Sequence, residues 1–423
     1  MTRRLLLLLA LARAASGAVE TLDRAFRKVP FDEWLAGRDP GRFHWSISVA
    51  RPEFSFHQRL LSRITVKVDG KDMESRRGDG ELVFFTQITD ASGARYQNHH
   101  TVELRRLGGN IRSANLEYLQ DVFLLPGDFQ IAVALYDTRT GEHAVRRSAV
   151  HAAPVKWNLF AEAWRDLPAA EYVPSDEPPD SWYQPRVEGR LRWAAPLRSE
   201  ARVAVMLNVP PPSAESGESY GVAMAALIPV LKAFTQTGST LLSQRVEIVD
   251  LPKKRIVFEQ HDGKELDWSR LKPALGDANP ASIDLHSLLG RHKEAQYFVA
   301  QTRRLLRATD QPGVLIVLSP PVSFEPGADL EPISLEALPP CRVYWIRYHR
   351  PRPAPVPFHP VLPLFRRGPR DPAGRSRPLE LAIDQLAATL KPLNPRIYDV
   401  ETPDQMSRAF AEIGEAILSE PRP

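Results

Sequence analysis

Between Phe43 and Ala152 the chain alternates apolar and polar residues in short runs punctuated by turn residues. His44 to Val49 alternates, as does Ile64 to Val68 ahead of an Asp69-Gly70 turn. Leu82 to Thr89 is a mostly apolar run closed by Asp90-Ala91-Ser92-Gly93, and Thr101 to Leu104 alternates again. The clearest unit is Val122 to Leu125, a Pro126-Gly127-Asp128 turn, then Phe129 to Asp137, whose Phe129, Ile131, Val133 and Leu135 share one face. A Thr138-Arg139-Thr140-Gly141 turn and a last strand reaching Val150 follow. Period-two alternation marks half-buried strands. Many such strands with no intervening helix predict an antiparallel β-sandwich over residues 42–155.

From Arg202 the period changes. Val203 to Val209 is a short apolar strand, and Val222 to Thr235 places Leu227, Val230, Leu231 and Phe234 on one helical face. Val246 to Asp250 and Arg255 to Phe258 read as strands joined at Pro252-Lys253. A helix from Asp284 to Ala308 follows, with Leu285, Leu288, Leu289, Ala295, Val299, Thr302 and Leu306 at helical spacing. Val314 to Leu318 and Val343 to Ile346 are apolar throughout, as strands of a parallel sheet are. Leu379 to Leu390 is helical, and Arg396 to Val400 is a strand. In the last helix Thr402 is the N-cap, Pro403 the first helical residue and Gln405 the capping-box partner, with Met406, Phe410, Ile413 and Ile417 as the buried stripe. Strands alternating with helices predict a doubly wound α/β domain over residues 200–420. The expected fold is therefore multidomain, a β-sandwich followed by an α/β domain.

Composition adds where the two halves meet. The 423 residues include 39 prolines and one cysteine, Cys341, which excludes an intramolecular disulfide and a cysteine-based zinc site. Five prolines between Leu167 and Pro185 predict a stiff linker within residues 156–199. Nine more lie in 349–378, a basic insertion of seven arginines against Asp371, unable to form helix or a central strand. That insertion reads either as a solvated loop or as a polyproline arm anchored by Phe358, Phe365, Arg366 and Arg367 on an acidic partner.

The N-terminus carries Arg3 and Arg4, then the apolar Leu5 to Ala12, then Ala15-Ser16-Gly17. This is the pattern of a secretory signal peptide over residues 1–17, with 18–41 as an extension before the sandwich. A retained anchor or a buried first helix is the alternative. Removing Arg3, Arg4 and Arg13 brings the formal +4 to +1, and the positive charge that remains is concentrated in 349–378. An exported protein with its charge so confined is not expected to bind nucleic acid. No later apolar stretch is long enough to span a bilayer, so a periplasmic or extracellular location follows.

The strand, helix, strand hairpin, long helix, apolar strand, "CRVYWIRYH" and the closing "NPRIYDVETPDQMSRAFAEIGEAI" together resemble the von Willebrand factor type A domain over most of Arg202 to Leu418. The phrase "LLPGDFQIAVALYDTRTGE" resembles strands of immunoglobulin-like or fibronectin-like modules. The first resemblance implies a divalent cation at the C-terminal edge of the sheet, held by an Asp and two Ser after the first strand, a later Thr, and an Asp after the fourth strand. Here the corresponding positions hold Asn208, Pro210 and Pro212, then Ser319 and Pro320, and only the loop around Ser282 and Asp284 keeps oxygen donors. A hard cation needs formal negative charge among its ligands, so the metal site reads as lost. Asp284 then serves its helix start instead.

No Walker, G-x-G-x-x-G, H-E-x-x-H or G-x-S-x-G motif occurs. His286 and His292 are six apart and do not share a helix face as ligands, while the adjacent His99 and His100 point to opposite faces of a strand. Cys341 reads as a small packed residue, and Gly238-Ser239 as a turn. The expectation is an exported, non-catalytic protein-binding or adaptor protein without cofactor or metal. Its contacts would come from Asn208, Ser213, Ser282, Asp284 and Ser319, with Arg366 and Arg367. A cell-envelope hydrolase with a non-local site, or a self-associating architectural component, remain the alternatives.

Overall fold

The computed structural model describes residues 22–37, 41, 43–108, 111–156, 164–165, 167–173, 201–209, 219–235, 242–261, 266–277, 293–308, 311–322, 324, 333, 340–349 and 385–418. The fold is β-rich and falls into two compact units, the first holding everything described up to residue 173 and the second everything described from residue 201 onward.

In the first unit the alternating runs become β1 (Trp45–Val49), β2 (Glu53–Phe54), β3 (Leu60–Asp69), β4 (Glu81–Asp90), β5 (Arg95–Glu103), β6 (Asn115–Leu124), β7 (Gly127–Asp137), β8 (His143–Ala152) and β9 (Ala170–Tyr172). One antiparallel sheet runs β1-β3-β6-β9 with β2 beside β3, and the other runs β5-β4-β7-β8. Phe84, Ile88, Ile131, Val133 and Leu135 from the second sheet and Ile64, Val66, Val122 and Leu124 from the first are all essentially inaccessible. Phe84 meets Tyr118 across the gap with ring centroids 4.8 Å apart. The Tyr172 hydroxyl donates to the Thr86 and Tyr96 carbonyls at 2.9 and 3.1 Å. Burial pushes that phenol's pKa well above the usual tyrosine range.

Three features depart from the alternation pattern. First, Pro126-Gly127 does not close a hairpin, because β6 and β7 belong to different sheets and the turn carries the chain across the sandwich. Second, the Asp69-Gly70 turn opens a helix, α2 (Gly70–Arg76), capped by the Asp69 carboxylate accepting from Lys71 N at 2.7 Å. Gly70 is required there, since a Cβ would stand 1.9 Å from the carbonyl oxygens of Ile111 and Ala114. Third, the sandwich is larger than residues 42–155. Strand β9, inside the stretch expected as linker, pairs with β6 at Val122 to Leu124. The N-terminal extension also belongs to it. Phe26 and Phe31, from a 3-10 turn (Arg24–Lys28) and α1 (Phe31–Ala36), bury Val83, Phe85, Ala132 and Ala134 on the outer face of β4 and β7. This is why β4 reads as apolar throughout: both of its faces are covered.

The second unit carries β10 (Ala201–Val209), β11 (Leu242–Asp250), β12 (Arg255–His261), β13 (Val314–Ser319), β14 (Arg342–Tyr348) and β15 (Arg396–Val400). They form one six-stranded sheet in the order β12-β11-β10-β13-β14-β15. Only the β11–β12 pair is antiparallel. Its described helices are α3 (Ser219–Thr235), α4 (Trp268–Asp277), α5 (Glu294–Leu306), α6 (Gln385–Leu390) and α7 (Pro403–Leu418). Ala204, Met206, Leu315, Val317, Val343 and Trp345 pack on one face against Phe298, Val299 and Leu305 of α5 and Leu386 and Leu390 of α6.

The capping box forms as its spacing requires. Gln405 Oε1 accepts from the Glu401 and Thr402 amides at 2.7 and 3.1 Å, and Gln405 N donates to Thr402 Oγ1 at 3.4 Å. Helix α4 is absent from the periodicity because Pro273 and Gly276 interrupt it. The expected helix starts at Asp284 and Leu379 lie outside the described residues, as do His286, His292, Gly238 and Ser239. Cys341 is half-buried against the core cluster and does not stand free. His99 and His100 do face opposite ways, His99 stacking on Phe85 and His100 on Tyr118.

Candidate functional site

In a sheet of this order the chain leaves β10 on one side toward β11 and returns on the other at β13. In open α/β sheets the C-terminal strand ends at such a reversal of strand order are where ligands bind. Asn208 and Ser319 stand at that point. The register pairs Leu207 with Leu318, so the next step sets Asn208 beside Ser319, at the spacing of neighbouring strands. The same row continues outward, Ser319 opposite Arg347 and Arg347 opposite Asp399. Side chains paired across a parallel register share a face, so Asn208, Ser319, Arg347 and Asp399 form one polar row along the strand ends.

The chemistry differs along this row. Asn208 has 0% exposure, and among the described residues neither its Oδ1 nor its Nδ2 meets a hydrogen-bond partner. A buried carboxamide left so costs about 1–3 kcal/mol, a strain that belongs to sites more than to cores. Ser319 is fully buried too, and its hydroxyl donates to the Pro320 carbonyl at 2.7 Å, turning its proton along the chain. Arg347 grips Asp399 with two bonds, Nε to Oδ1 at 2.6 Å and Nη2 to Oδ2 at 3.0 Å, and His349 adds a third at 2.7 Å. The Arg347 bond is the main reason the Asp399 carboxyl sits below the usual aspartate range, and the His349 bond acts the same way.

A divalent cation does not fit this donor set. Asn208 brings no charge, Asp399 is already saturated by Arg347 and His349, and the residues at 210 and 212 are prolines. Among the described residues no three His, Cys, Asp or Glu side chains gather as metal ligands.

Of the residues expected at the site, the structure brings Asn208 and Ser319 together. Ser213, Ser282, Asp284, Arg366 and Arg367 lie outside the described residues. Arg347, His349 and Asp399 went unrecognised in the sequence, although the charged pair flanking the "YWI" and "RIY" strands was a usable signal.

A second cluster was also missed. Glu247, on β11 and fully buried, receives Arg245 Nε at 2.9 Å and Arg304 Nη2 at 2.5 Å. Glu259 on β12 receives Arg245, Arg304 and His261 at 2.7, 3.2 and 2.9 Å. Desolvation raises Glu247's carboxyl pKa above its ordinary value despite both arginines, while Glu259 lies below, its several hydrogen bonds outweighing burial. Nearby, Asp250 at the end of β11 is buried, and desolvation raises its pKa too. Next to this cluster a groove of about 650 Å³ runs between β12 and α4.

No protein-family model matches the chain. No curated protein matches it either. Among solved structures, the X-ray structure of a Northeast Structural Genomics Consortium target is similar at 15% identity over 27% of this chain and 88% of that one, with a TM-score of 0.18. A Bordetella pertussis protein described as ApaA is similar at 15% identity over 28% of this chain and 98% of that one, also with a TM-score of 0.18. Among the described residues no helix is long and apolar enough to cross a membrane.

Proposed function

We propose that the protein is an exported, non-catalytic binding or adaptor protein that recognises a protein partner through the C-terminal strand ends of its second unit, without a metal. The observation that carries this reading is Asn208, a buried carboxamide at the C-terminal end of β10 whose acceptor and donors meet no partner among the described residues. Asn208 has no exposed surface, so binding in this reading opens the strand end to reach its one acceptor and two donors, which suit a peptide group or a carboxamide of the partner. The sheet order, with a single antiparallel edge strand, supports reading the second unit as a doubly wound domain resembling von Willebrand factor type A. In that reading the first-strand aspartate is replaced by Asn208, and recognition passes from a cation to direct hydrogen bonds. The sandwich, read as an immunoglobulin-like or fibronectin-like module, would space or present this unit. The leader read at residues 1–17 would place the protein in the periplasm or outside the cell.

The test is crosslinking and pull-down from the native envelope with the full chain, with and without EDTA. The expected result is a partner set retained in EDTA and lost with Asn208→Leu. Loss of the partners in EDTA with recovery in Mg²⁺ overturns the reading, and so does full retention by Asn208→Leu.

A further inference from the structure

The loop between β2 and β3 is tied between Ser55 and Arg59. Gln58 N donates to the Ser55 carbonyl at 2.8 Å, and Ser55 Oγ donates to the Arg59 carbonyl at 2.8 Å. Gln58 is fully buried and takes the left-handed backbone conformation, with φ 57°. Its carbonyl accepts from Trp164 Nε1 at 3.0 Å, but neither polar atom of its side-chain amide meets a hydrogen-bond partner among the described residues. Arg59 is equally hidden, with 1% exposure. Its guanidinium lies over the Phe123 ring, 4.6 Å from the centroid, and its Nη1 donates to Glu171 of β9. Its Nε and Nη2 form the edge that grips a carboxylate with two parallel bonds, and they meet no partner among the described residues.

Other guanidinium groups of this chain show what Arg59 lacks. Arg76 gives one nitrogen to Asp137 and another to Glu142, and Arg245 is shared between Glu247 and Glu259. Arg63 and Arg347 present the Nε–Nη2 edge to Asp121 and Asp399, each with two bonds. Arg59 is more deeply buried than any of these, and Glu171 is its one carboxylate among the described residues. Desolvation lowers the Arg59 pKa even with Glu171 opposite, so a single carboxylate does not offset the burial. The residue before it adds an amide with one acceptor and two donors, also unmet. Buried polar atoms left in this way mark a missing partner, and the chemistry of these four calls for an anion with a hydrogen-bonding group beside it.

We infer that Gln58 and Arg59 form a binding site for a carboxylate that carries an amide or hydroxyl next to it, as small acylated acids and peptide chain ends do. The carboxylate takes Nε and Nη2 of Arg59, completing what Glu171 begins, and the neighbouring group bonds the Gln58 amide. Neither residue has open surface, so the ligand enters when the cover lifts. Glu171 marks the side nearest solvent, since its side chain is 28% exposed. That cover is lightly held, because β9 carries Glu171 and pairs with β6 only at Val122 to Leu124. The site belongs to the first unit and stands or falls independently of recognition at Asn208.

Magnetic resonance of the arginine Nε–H groups in the full-length protein tests it. The Arg59 signal is assigned by its loss in Arg59→Met or, should that variant fold poorly, in Arg59→Lys. N-acetylglycine should move this signal, and N-acetylglycinamide, which lacks the carboxylate, should bind at least about tenfold more weakly. Gln58→Met keeps the guanidinium, and it should weaken N-acetylglycine by about tenfold while leaving acetate unchanged. A short peptide ending in glycine separates the two sources. Binding as tight as N-acetylglycine assigns the site to chain ends, weaker binding assigns it to the free acid, and either keeps the site. The inference is overturned if no acid moves the Arg59 signal at roughly 10 mM, well above a millimolar Kd. It is also overturned if acid and amide bind alike, or if Gln58→Met leaves N-acetylglycine affinity unchanged.

Discussion

Asp137 sits at the end of β7 with no exposed surface and holds three partners at once. Its Oδ1 accepts from the Arg139 and Thr140 amides at 2.9 and 3.2 Å, and its Oδ2 from Arg76 Nη1 at 2.9 Å. Arg76 itself is nearly buried, stacks over Phe43 at 4.0 Å, and gives its other nitrogen to Glu142 at 2.7 Å. Asp137→Asn keeps an oxygen for the two turn amides and removes the charge opposite Arg76. Breaking a buried ion pair on one side costs about 3–5 kcal/mol. Glu142, partly exposed, still holds the guanidinium, so the expected loss at pH 7 falls to about 2–3 kcal/mol.

The pH dependence carries the argument further. Desolvation pushes the Asp137 carboxyl up, but the Arg76 bond and the Thr140 and Arg139 amides together outweigh it and bring the pKa below its ordinary value. A depressed folded pKa contributes stability that is complete above the unfolded pKa, about 4, and is lost as pH falls through the folded one. Wild type and Asp137→Asn should therefore differ fully at pH 7 and converge as pH falls below about 4 and through the lowered folded pKa. Urea unfolding of the full chain at several pH values measures the gap, and hydrogen exchange of the β7–β8 amides locates it. A gap equal at both ends of the pH range, or below about 1 kcal/mol at pH 7, would refute the reasoning.

Gly70→Ala should destabilise the sandwich by more than about 3 kcal/mol, because the obstacles are two backbone carbonyls; normal thermal unfolding of the variant counts against this. Asn208→Leu should leave stability unchanged or raise it by up to about 2 kcal/mol, since two unmet amide groups disappear; unfolding would mean the amide is satisfied internally. Glu247→Gln should leave stability unchanged or raise it slightly, because burial disfavours the charge more than Arg304 and Arg245 favour it; a loss above about 2 kcal/mol, read as faster amide exchange in β11, counts against this. Thr402→Ala should cost about 1 kcal/mol and fray the first turn of α7, visible in exchange of its N-terminal amides.

Much of this architecture is legible from residue order because the signals are local. The capping box at Thr402 and Gln405 needs three positions to be recognised, and an apolar run such as Val314 to Leu318 declares itself. The sheet pairing of Pro126-Gly127 does not, because a turn to the same sheet and a turn to the opposite one use the same residues. The N-terminal cover on β4 was hidden for the same reason: an apolar outer face is visible, but its occupant is chosen by tertiary packing. At the strand ends, Asn208 and Ser319 could be named from element order, whereas Arg347 and Asp399 meet only through the β14–β15 register. The Arg245–Glu247–Glu259–Arg304 cluster joins three elements and has no sequence period at all.

Strand β9 has a consequence for how the first unit comes together. Among the described strands it is the last of its sheet in chain order, and it closes on β6 from about fifty residues downstream, while the N-terminal turn and α1 must find β4 across a comparable stretch and β7 across about twice that. Neither end can be satisfied until the middle strands are paired. Loop closure over such separations is slow compared with hairpin formation. During synthesis, the apolar face of Val83, Phe85, Ala132 and Ala134 has its cover waiting from the start, whereas the β6 edge stays open until Tyr172 has left the ribosome. The vulnerable interval in the life of this sandwich is therefore the time between making β6 and making β9, and a chaperone or a neighbouring chain would find its opening there.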